Sequence, residues 1–226
     1  MQSFYQYETH LHTSEASACG VSSGAEMAVA HKEKGYDGVI VTDHFFNGNT
    51  AVPRDLPWAE RVERFCLGYR HCRETGEKIG LQVFFGWEYG YYGTEFLTYG
   101  LDEQWLLSHP DILSWPLDEY FRRVHADGGF ITHAHPFRQA SYIPEIRLFP
   151  DQVDAVEVIN ASHRDPLFNM QAREYAAEQG LPAVSGSDTH NATRLFGGGM
   201  QFDHRLNSIQ DYIKAVRSGQ GRLLGE

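Results

Sequence analysis

His10 and His12, in the run Glu8-Thr9-His10-Leu11-His12-Thr13, stand two residues apart at the end of a short stretch that alternates apolar and polar side chains. On an extended strand that spacing sends both imidazoles to one side, the geometry of two metal ligands on a rigid support. Taken alone, such a pair is better explained by two surface histidines. The pattern recurs along the chain, however. His44 follows the β-branched run Gly38-Val39-Ile40-Val41-Thr42, Glu88 follows Leu81-Gln82-Val83-Phe84-Phe85-Gly86-Trp87, and His135 follows Phe130-Ile131-Thr132-His133-Ala134. Asp188 and His190 follow Pro182-Ala183-Val184-Ser185-Gly186. Imidazoles and carboxylates repeated in this way are residues of the type that ligate metal ions.

The elements that must position these donors can be read from periodicity. Strands are expected over residues 4–11, 38–42, 81–87, 95–99, 130–136, 153–159 and 182–186, with Pro136 ending the fifth. Helices are expected after Ser22 or Ser23, which can cap, as far as Gly35; over residues 58–74, before Gly76; over 117–126, before Gly128; over 166–178, before Gly180; and over 208–218. Strands alternating with helices argue for a mainly parallel α/β sheet or barrel. In a closed barrel the C-terminal strand ends share one mouth, where His10, His12, His44, Glu88, His135, Asp188 and His190 would gather.

A chain of 226 residues can bury one sizeable core, so residues 1–226 are expected to form a single domain. A hydrophobic content of 42% with 22% charged residues excludes a disordered polymer. The opening residues lack the basic start and apolar core of a signal peptide, and no run approaches membrane-spanning length, so a cytoplasmic protein without membrane attachment is expected. Cys19, Cys66 and Cys72 form no CxxC pair and suggest neither a disulfide framework nor a thiolate zinc site. A formal charge of −11 disfavours nucleic acid as a partner unless bound cations offset it. Of the twelve histidines, His31, His71, His109, His125 and His204 stand singly and read as structural.

The motifs His10-Leu11-His12-Thr13, Thr42-Asp43-His44, Gly86-Trp87-Glu88, Ala134-His135-Pro136 and Gly186-Ser187-Asp188-Thr189-His190, in this order, resemble those of the PHP (polymerase and histidinol phosphatase) superfamily of metal-dependent phosphoesterases. The resemblance covers nearly the whole chain. It implies a distorted seven-stranded (β/α)7 TIM-like barrel holding two or three divalent ions, manganese, zinc or iron. It also implies that His10, His12, His44, Glu88, His135, Asp188 and His190 are ligands. Two positions depart from the family. Where members carry an Asp or His shortly after HxHT, this chain has Ser17 and Ala18, flanked by Glu15 and Cys19. Glu15 is preferred as the substitute because a carboxylate suits harder ions. Glu95 stands where the family places a His on the fourth strand.

Other residues at the same strand ends extend the candidate site. His133, two before His135, is expected to face the same side, as a ligand or a donor behind one. Glu157 on the sixth strand is a candidate to support a ligand. Asp43 should point away from His44 and cap a loop. His163 could donate a proton to the leaving group, as could His190, and Arg138 and Arg194 offer guanidinium forks for a phosphate. Tyr89, Tyr91 and Tyr92 could line the pocket. The resemblance implies hydrolysis of a small-molecule phosphomonoester, histidinol-phosphate-like, by a hydroxide bridging the ions. Alternatives are a phosphodiesterase or protein-tyrosine phosphatase of the same superfamily, an amidohydrolase-type C–N hydrolase, and a non-catalytic metal-binding module. An amidohydrolase typically centres on a bridging lysine, which no strand end here offers.

Overall fold

The computed structural model describes residues 4–225. Its strands are β1 Tyr5–Leu11, β2 Gly38–Val41, β3 Gln82–Tyr91, β4 Thr94–Tyr99, β5 Phe130–Ala134, β6 Ala155–Asn160, β7 Ala183–Gly186, β8 Gly199–Phe202 and β9 Arg222–Leu224. The helices are α1 Gly24–Glu33, α2 Trp58–Phe65, α3 Leu67–Ile79, α4 Glu103–Ser108, α5 Leu117–Ala126, α6 Pro166–Gln179 and α7 Ile209–Arg217. All nine strands belong to one sheet in the order β7-β6-β5-β4-β3-β2-β1-β8-β9.

The sheet curls until β1 meets the end of β7. His12 N–H donates to the Thr189 carbonyl at 2.9 Å, Thr189 N–H donates to His10 O at 3.3 Å, and the Thr9 hydroxyl donates to Ser185 O at 2.6 Å. The result is a mixed α/β, nearly closed, barrel-like sheet. It carries two more strands than the seven expected. β8 pairs antiparallel with the first half of β1, and β9 with β8. β4 also runs antiparallel to both neighbours, because it returns from β3 through a tight hairpin. In that hairpin Tyr92 and Gly93 both adopt positive φ, 48° and 84°, the conformation a two-residue turn of matching twist requires.

Local signals explain most helix ends. Ser23 and Glu26 form a reciprocal capping box at the start of α1, and Asp165 with Pro166 begins α6, which Gly180 closes in the left-handed region at φ 67°. The helix expected over 58–74 is two helices: the chain bends at Cys66, so that α3 lies against α1 while α2 lies against α4. The α1–α3 contact depends on glycine. A Cβ on Gly24 would sit 2.0 Å from Gly68 O, and one on Gly68 would sit 1.9 Å from the Thr13 hydroxyl.

The sheet separates its apolar residues into an inner core and outer layers. Tyr7, Ile40, Leu97, Tyr99, Phe130 and Val184 pack inside, where Tyr212 and Ile213 of α7 plug the end nearest the start of β5. Leu11, Val39 and Val41 pack outward on α1 and α3, Phe85 and Ile131 under α2 and α5, and Val156 and Ile159 under α6. The other end of the barrel holds the polar residues. No helix among the described residues is long and apolar enough to cross a membrane.

Candidate metal centre

The donors reach the barrel interior through irregularities in the strands. Tyr7 pairs with Gly38 and packs inside, whereas Leu11, four residues on, packs outside with Val41. On an unbroken strand the two would share a face. The register slips between Glu8 and Leu11, and this β-bulge turns His10 and His12 inward. Glu8 holds the bulge: its Oε1 accepts from Thr9 N–H and His10 N–H at 3.0 Å each, and from Ser187 N–H of the closing segment at 2.9 Å. On β5, Phe130 and Ala134 face the inner core while Ile131 and His133 face outward. His135 would continue outward, but its φ of 27° turns the ring in, and Asp188 is likewise turned, at φ 52°. Non-glycine residues rarely hold this conformation, and such strain collects at functional sites. Glu88 and Glu95 come from the paired strands β3 and β4, and His44 bridges to Glu88.

Hydrogen bonds behind three of the imidazoles fix which nitrogen faces the centre. His10 Nδ1 is 2.9 Å from Glu157 Oε1, His12 Nδ1 is 3.1 Å from the Ser17 hydroxyl, and His190 Nδ1 is 2.8 Å from Asp188 O. Each Nδ1 acts as donor, which leaves Nε2 turned to the centre, where it could meet an ion. His10 Nε2 lies 3.1 Å from His12 Nε2 and 3.2 Å from Glu88 Oε1, and His12 Nε2 lies 3.1 Å from Asp188 Oδ1. Four donor groups result, their atoms within 4.8 Å of one another: His12, His44 and His190; His10, His135 and Asp188; His10, His12 and Glu88; and His44, Glu88 and Glu95.

The electrostatics of these groups fit divalent cations. Burial opposes a charge on His10, yet Glu157, Asp188 and Glu88 together hold it well above the usual imidazole range. Burial, with His190 and His44 adding to it, keeps His12 well below that range. Burial would raise Glu88 and Asp188, but His44 and His10 around the first, and Arg138 and His10 around the second, pull both well below the carboxylate range. Glu95 is pushed up to about 7 by burial and by the Glu88 charge. Three buried carboxylates thus compete for positive charge. His44 Nδ1 and Glu88 Oε2 lie 2.6 Å apart and neither completes a hydrogen bond. Buried polar atoms left so are the signature expected where an ion belongs.

A second row of side chains supports the centre. Glu157 Oε2 accepts from His135 N–H and from the Asn160 amide, both at 3.0 Å. Asp43 faces away from the centre and accepts from Thr13 N–H at 2.6 Å, the Thr13 hydroxyl at 2.7 Å and the Ser17 hydroxyl at 2.7 Å, pinning the loop after β1. Arg138 donates through Nη2 to Asp188 Oδ2 at 2.6 Å and through Nε to His163 Nε2 at 3.1 Å. A cavity of about 530 Å³ opens over the centre. Its walls include His44, Glu95, Asp188, His190, Arg138 and Cys19, with Tyr91, Tyr92 and Tyr142 opposite.

Several expectations change. Glu15 does not reach the centre: its carboxylate accepts from Gly24 N–H at 3.1 Å, at the start of α1, and meets His71 Nδ1 at 2.9 Å. Cys19 lines the same cavity as His44 and His190, and its thiol is lowered to about 6: burial would raise it, but hydrogen bonds with His190 and His44 outweigh that. His133 does not share a side with His135. Its ring lies against Phe96 and Phe149 with neither nitrogen hydrogen-bonded. His163 is not free to give a proton: Nε2 accepts from Arg138 and Nδ1 meets Asn169 Oδ1 at 2.8 Å, while burial and the Arg138 charge lower it to about 4. Arg194 lies on an adjoining part of the rim, over the Phe196 ring. Tyr89 is buried on Tyr120 instead of lining the cavity. The sequence reading missed Glu8, Ser17, Asn160 and Tyr142. Of these only Glu8 carried a signal, as a carboxylate two residues before His10 in a run of buried residues.

Comparison with known proteins places this arrangement among described folds. The PHP-associated family model (PHP_C) matches residues 166–220, from α6 through α7, a stretch that includes Asp188 and His190. No curated protein sequence is significantly similar to the chain. Among solved structures, the chain superposes on a two-domain protein from Bacteroides vulgatus containing a predicted PHP-like metal-dependent phosphoesterase, with a TM-score of 0.74 and 16% identity. That match covers 98% of this chain and 64% of the other, so the chain spans just under two thirds of that protein's length. A provisionally named metal-dependent phosphoesterase from Bifidobacterium adolescentis matches with a TM-score of 0.57 and 15% identity, over 94% of this chain and 96% of that one. An amidohydrolase from Chromobacterium violaceum, with bound sulfate and no metal, matches with a TM-score of 0.58 and 15% identity, over 93% and 96%.

Proposed function

We propose that this chain, whose fold is that of the PHP proteins, is a metal-dependent phosphoesterase that hydrolyses the phosphomonoester of a small molecule, with residues 1–226 acting as one domain. The observation that carries the reading is the buried cluster of imidazoles and carboxylates at one barrel mouth, with a buried arginine against it. His10, His12, His44, Glu88, Glu95, His135, Asp188 and His190 would hold two or three divalent ions. Such ions supply positive charge that polarises a phosphoryl oxygen and lowers the pKa of water.

The chain's own residues do the rest. Arg138 is the phosphate-binding group. Asp188, His163 and Tyr142 engage part of its fork, and the N–H groups left over face the cavity that the ligands share. His163 positions it: because Nε2 carries no proton and accepts from Arg138, and Asn169 fixes the ring, the guanidinium is held in one plane. Tyr91, Tyr92 and Tyr142 provide flat apolar surface for the organic part of the ester, and a ring-bearing phosphomonoester of histidinol-phosphate size suits a cavity of about 530 Å³. His190, with Nδ1 given to the Asp188 carbonyl, has Nε2 left either to hold an ion or to pass a proton. The chain's charge of −11 argues against a polynucleotide.

A C–N hydrolase is the second reading, favoured by the amidohydrolase among the structural neighbours. Against it, the lysines Lys32, Lys34, Lys78 and Lys214 lie on or next to α1, α3 and α7, and none stands at a strand end that carries a donor. The test is turnover of p-nitrophenyl phosphate, bis-p-nitrophenyl phosphate and p-nitroanilide amides by chelator-stripped protein and after return of manganese, zinc or iron(II). The expected result is monoester turnover only with metal, abolished in His10→Ala. Full activity in the stripped protein, or turnover of the amide alone, rejects the assignment.

A further inference from the structure

The cavity over the centre continues past Arg138. A second hollow of about 490 Å³ shares Arg138, Tyr142, Asp188 and His190 with the first, so the two are lobes of one cleft that meet at the edge of the donor cluster. The first lobe carries tyrosines, the loop residues Asn47, Gly48 and Asn49, and Glu95. The second adds Ser162, Arg164, Asn191, Arg194 and Phe196, and among the described residues its one carboxylate is Asp188. That carboxylate is already engaged: Oδ2 accepts from Arg138 at 2.6 Å and Oδ1 lies 3.1 Å from His12 Nε2. In a chain of formal charge −11, three guanidiniums thus border a lobe with no acid left to neutralise Arg164 and Arg194.

These two arginines stand on short turns tied to the segments that carry the donors. After β6, Asn160 Oδ1 accepts from Ser162 N–H at 3.2 Å and from the Ser162 hydroxyl at 2.7 Å, while the Asn160 amide supports Glu157 behind His10. Asp165, the acid next to Arg164 in sequence, gives its Oδ1 to Leu167 N–H at 2.9 Å as the cap of α6. After β7, directly beyond His190, Asn191 Oδ1 accepts from the Thr193 N–H and hydroxyl, both at 2.9 Å, and Asn191 O accepts from Arg194 N–H at 3.0 Å. The Arg194 guanidinium lies over the Phe196 ring at 5.2 Å, a contact that uses its face and leaves its N–H edges open. Neither Arg164 nor Arg194 pairs with a carboxylate among the described residues, whereas Arg70, Arg122, Arg147 and Arg217 each do. Unpaired guanidiniums on fixed turns beside a reaction centre are what recognition of an anion requires.

We propose that the arginine lobe binds a second anionic group, a carboxylate or a phosphate, on the alcohol part of the substrate, so that the preferred ester is one whose leaving alcohol is itself anionic. This specificity rests on the reading of the barrel mouth as a phosphoesterase site. Arg138, at the junction of the lobes, meets the scissile phosphate. Tyr142, which lines both lobes, bounds the organic part, and Arg164 and Arg194 take the far anion. A monoester with a cationic alcohol leaves both guanidiniums unanswered and sets like charge against them, which ranks it below an acidic ester of the same size.

The test reads binding, with hydrolysis-resistant probes. Metal-loaded protein is titrated calorimetrically with alkylphosphonates, ω-phosphonoalkanoates and α,ω-bisphosphonates of increasing chain length, for wild type, Arg164→Gln, Arg194→Gln and the double variant. In wild type a dianionic probe is expected to bind roughly tenfold or more tighter than the alkylphosphonate of equal length. That is the lower end of what charge-assisted hydrogen bonds contribute, because both guanidiniums meet solvent. Each single variant should lose part of the gain and the double variant all of it, while alkylphosphonates bind as in wild type, which also shows the centre intact. A gain confined to one dianionic series names the second group as carboxylate or phosphate. Equal affinity across the series at every length, or a gain that survives in the double variant, overturns the proposal. Because no turnover is read, a gain that the double variant loses, in a protein without esterase activity, would refute the proposed function and leave the second anion site standing.

Discussion

Replacing Glu157 by glutamine keeps the shape of the side chain behind His10 and removes its charge. Three donors converge on this carboxylate: His10 Nδ1 at 2.9 Å on Oε1, and His135 N–H and the Asn160 amide at 3.0 Å on Oε2. Glutamine offers one oxygen and one NH2 group. With its oxygen turned to His135 and Asn160, the NH2 faces His10 Nδ1, and the clash is relieved if His10 moves its proton to Nε2. That nitrogen faces His12, Glu88 and Asp188. The metal-free fold then keeps most of its hydrogen bonds and loses about 1–3 kcal/mol, a fall in Tm of roughly 2–12 °C for a chain of this size. An ion at Nε2, in contrast, requires the tautomer with its proton on Nδ1, and in the variant that proton meets the glutamine NH2 instead of an acceptor. Outer carboxylates on ligating histidines are worth about 10–100-fold in affinity, or roughly 1.4–2.7 kcal/mol. Isothermal titration of apo Glu157→Gln with zinc or manganese should show that loss, with circular dichroism showing the fold retained. A folded variant that binds ions as tightly as wild type would refute the claim that Glu157 sets the His10 tautomer.

Arg138→Lys keeps the charge and loses the planar fork, so inhibition by inorganic phosphate should weaken roughly 10–100-fold, the worth of one to two charge-assisted hydrogen bonds; unchanged inhibition would remove Arg138 from the anion site. Glu15→Gln should leave metal content unchanged while lowering stability by about 0.5–2 kcal/mol through the start of α1, and loss of a metal equivalent would return Glu15 to the ligand set. His31 and His133 are held neutral chiefly by burial, at about 4 and about 3. Both folded values lie below the unfolded value of about 6.5, so their stabilisation is present above that pH and is lost as pH falls toward the folded values, by up to ~1.4 kcal/mol per pH unit for each histidine. His133→Phe should therefore flatten the acid limb of apo-protein stability and keep every metal equivalent, as seen in urea titrations from pH 7 to pH 4. An unchanged limb or a lost equivalent would contradict the structural role of His133.

Strands β1 to β7 were legible because apolar, β-branched runs bounded by glycine and proline mark them, and donor residues stand at their ends. β8 and β9 were not. Gly199–Phe202 follows two glycines, Arg222–Leu224 is three partly exposed residues, and they exist through pairing, β8 onto the edge of β1 and β9 onto β8. The facing of the donors was only half legible. Alternation states that His10 and His12 share a side, but the bulge after Glu8 decides which side, and positive φ at His135 overrides the alternation that would have grouped it with His133. Loop residues carry no period at all. Glu15 and Cys19 are equivalent in sequence terms, and hydrogen bonds from Ala18, Gly20 and Val21 to distant backbone separate them. Arg138 and His163, 25 residues apart, become one unit only through the packing of β5 and β6.

The central claim is that the strand ends β1, β3, β5 and β7 converge to hold ions. Anomalous diffraction from crystals grown with zinc or manganese tests it most directly. The account predicts anomalous peaks at bonding distance from His10 Nε2, His12 Nε2, Glu88 and Asp188. Peaks confined to surface histidines such as His71 and His204, with this cluster bare at saturating metal, would contradict it.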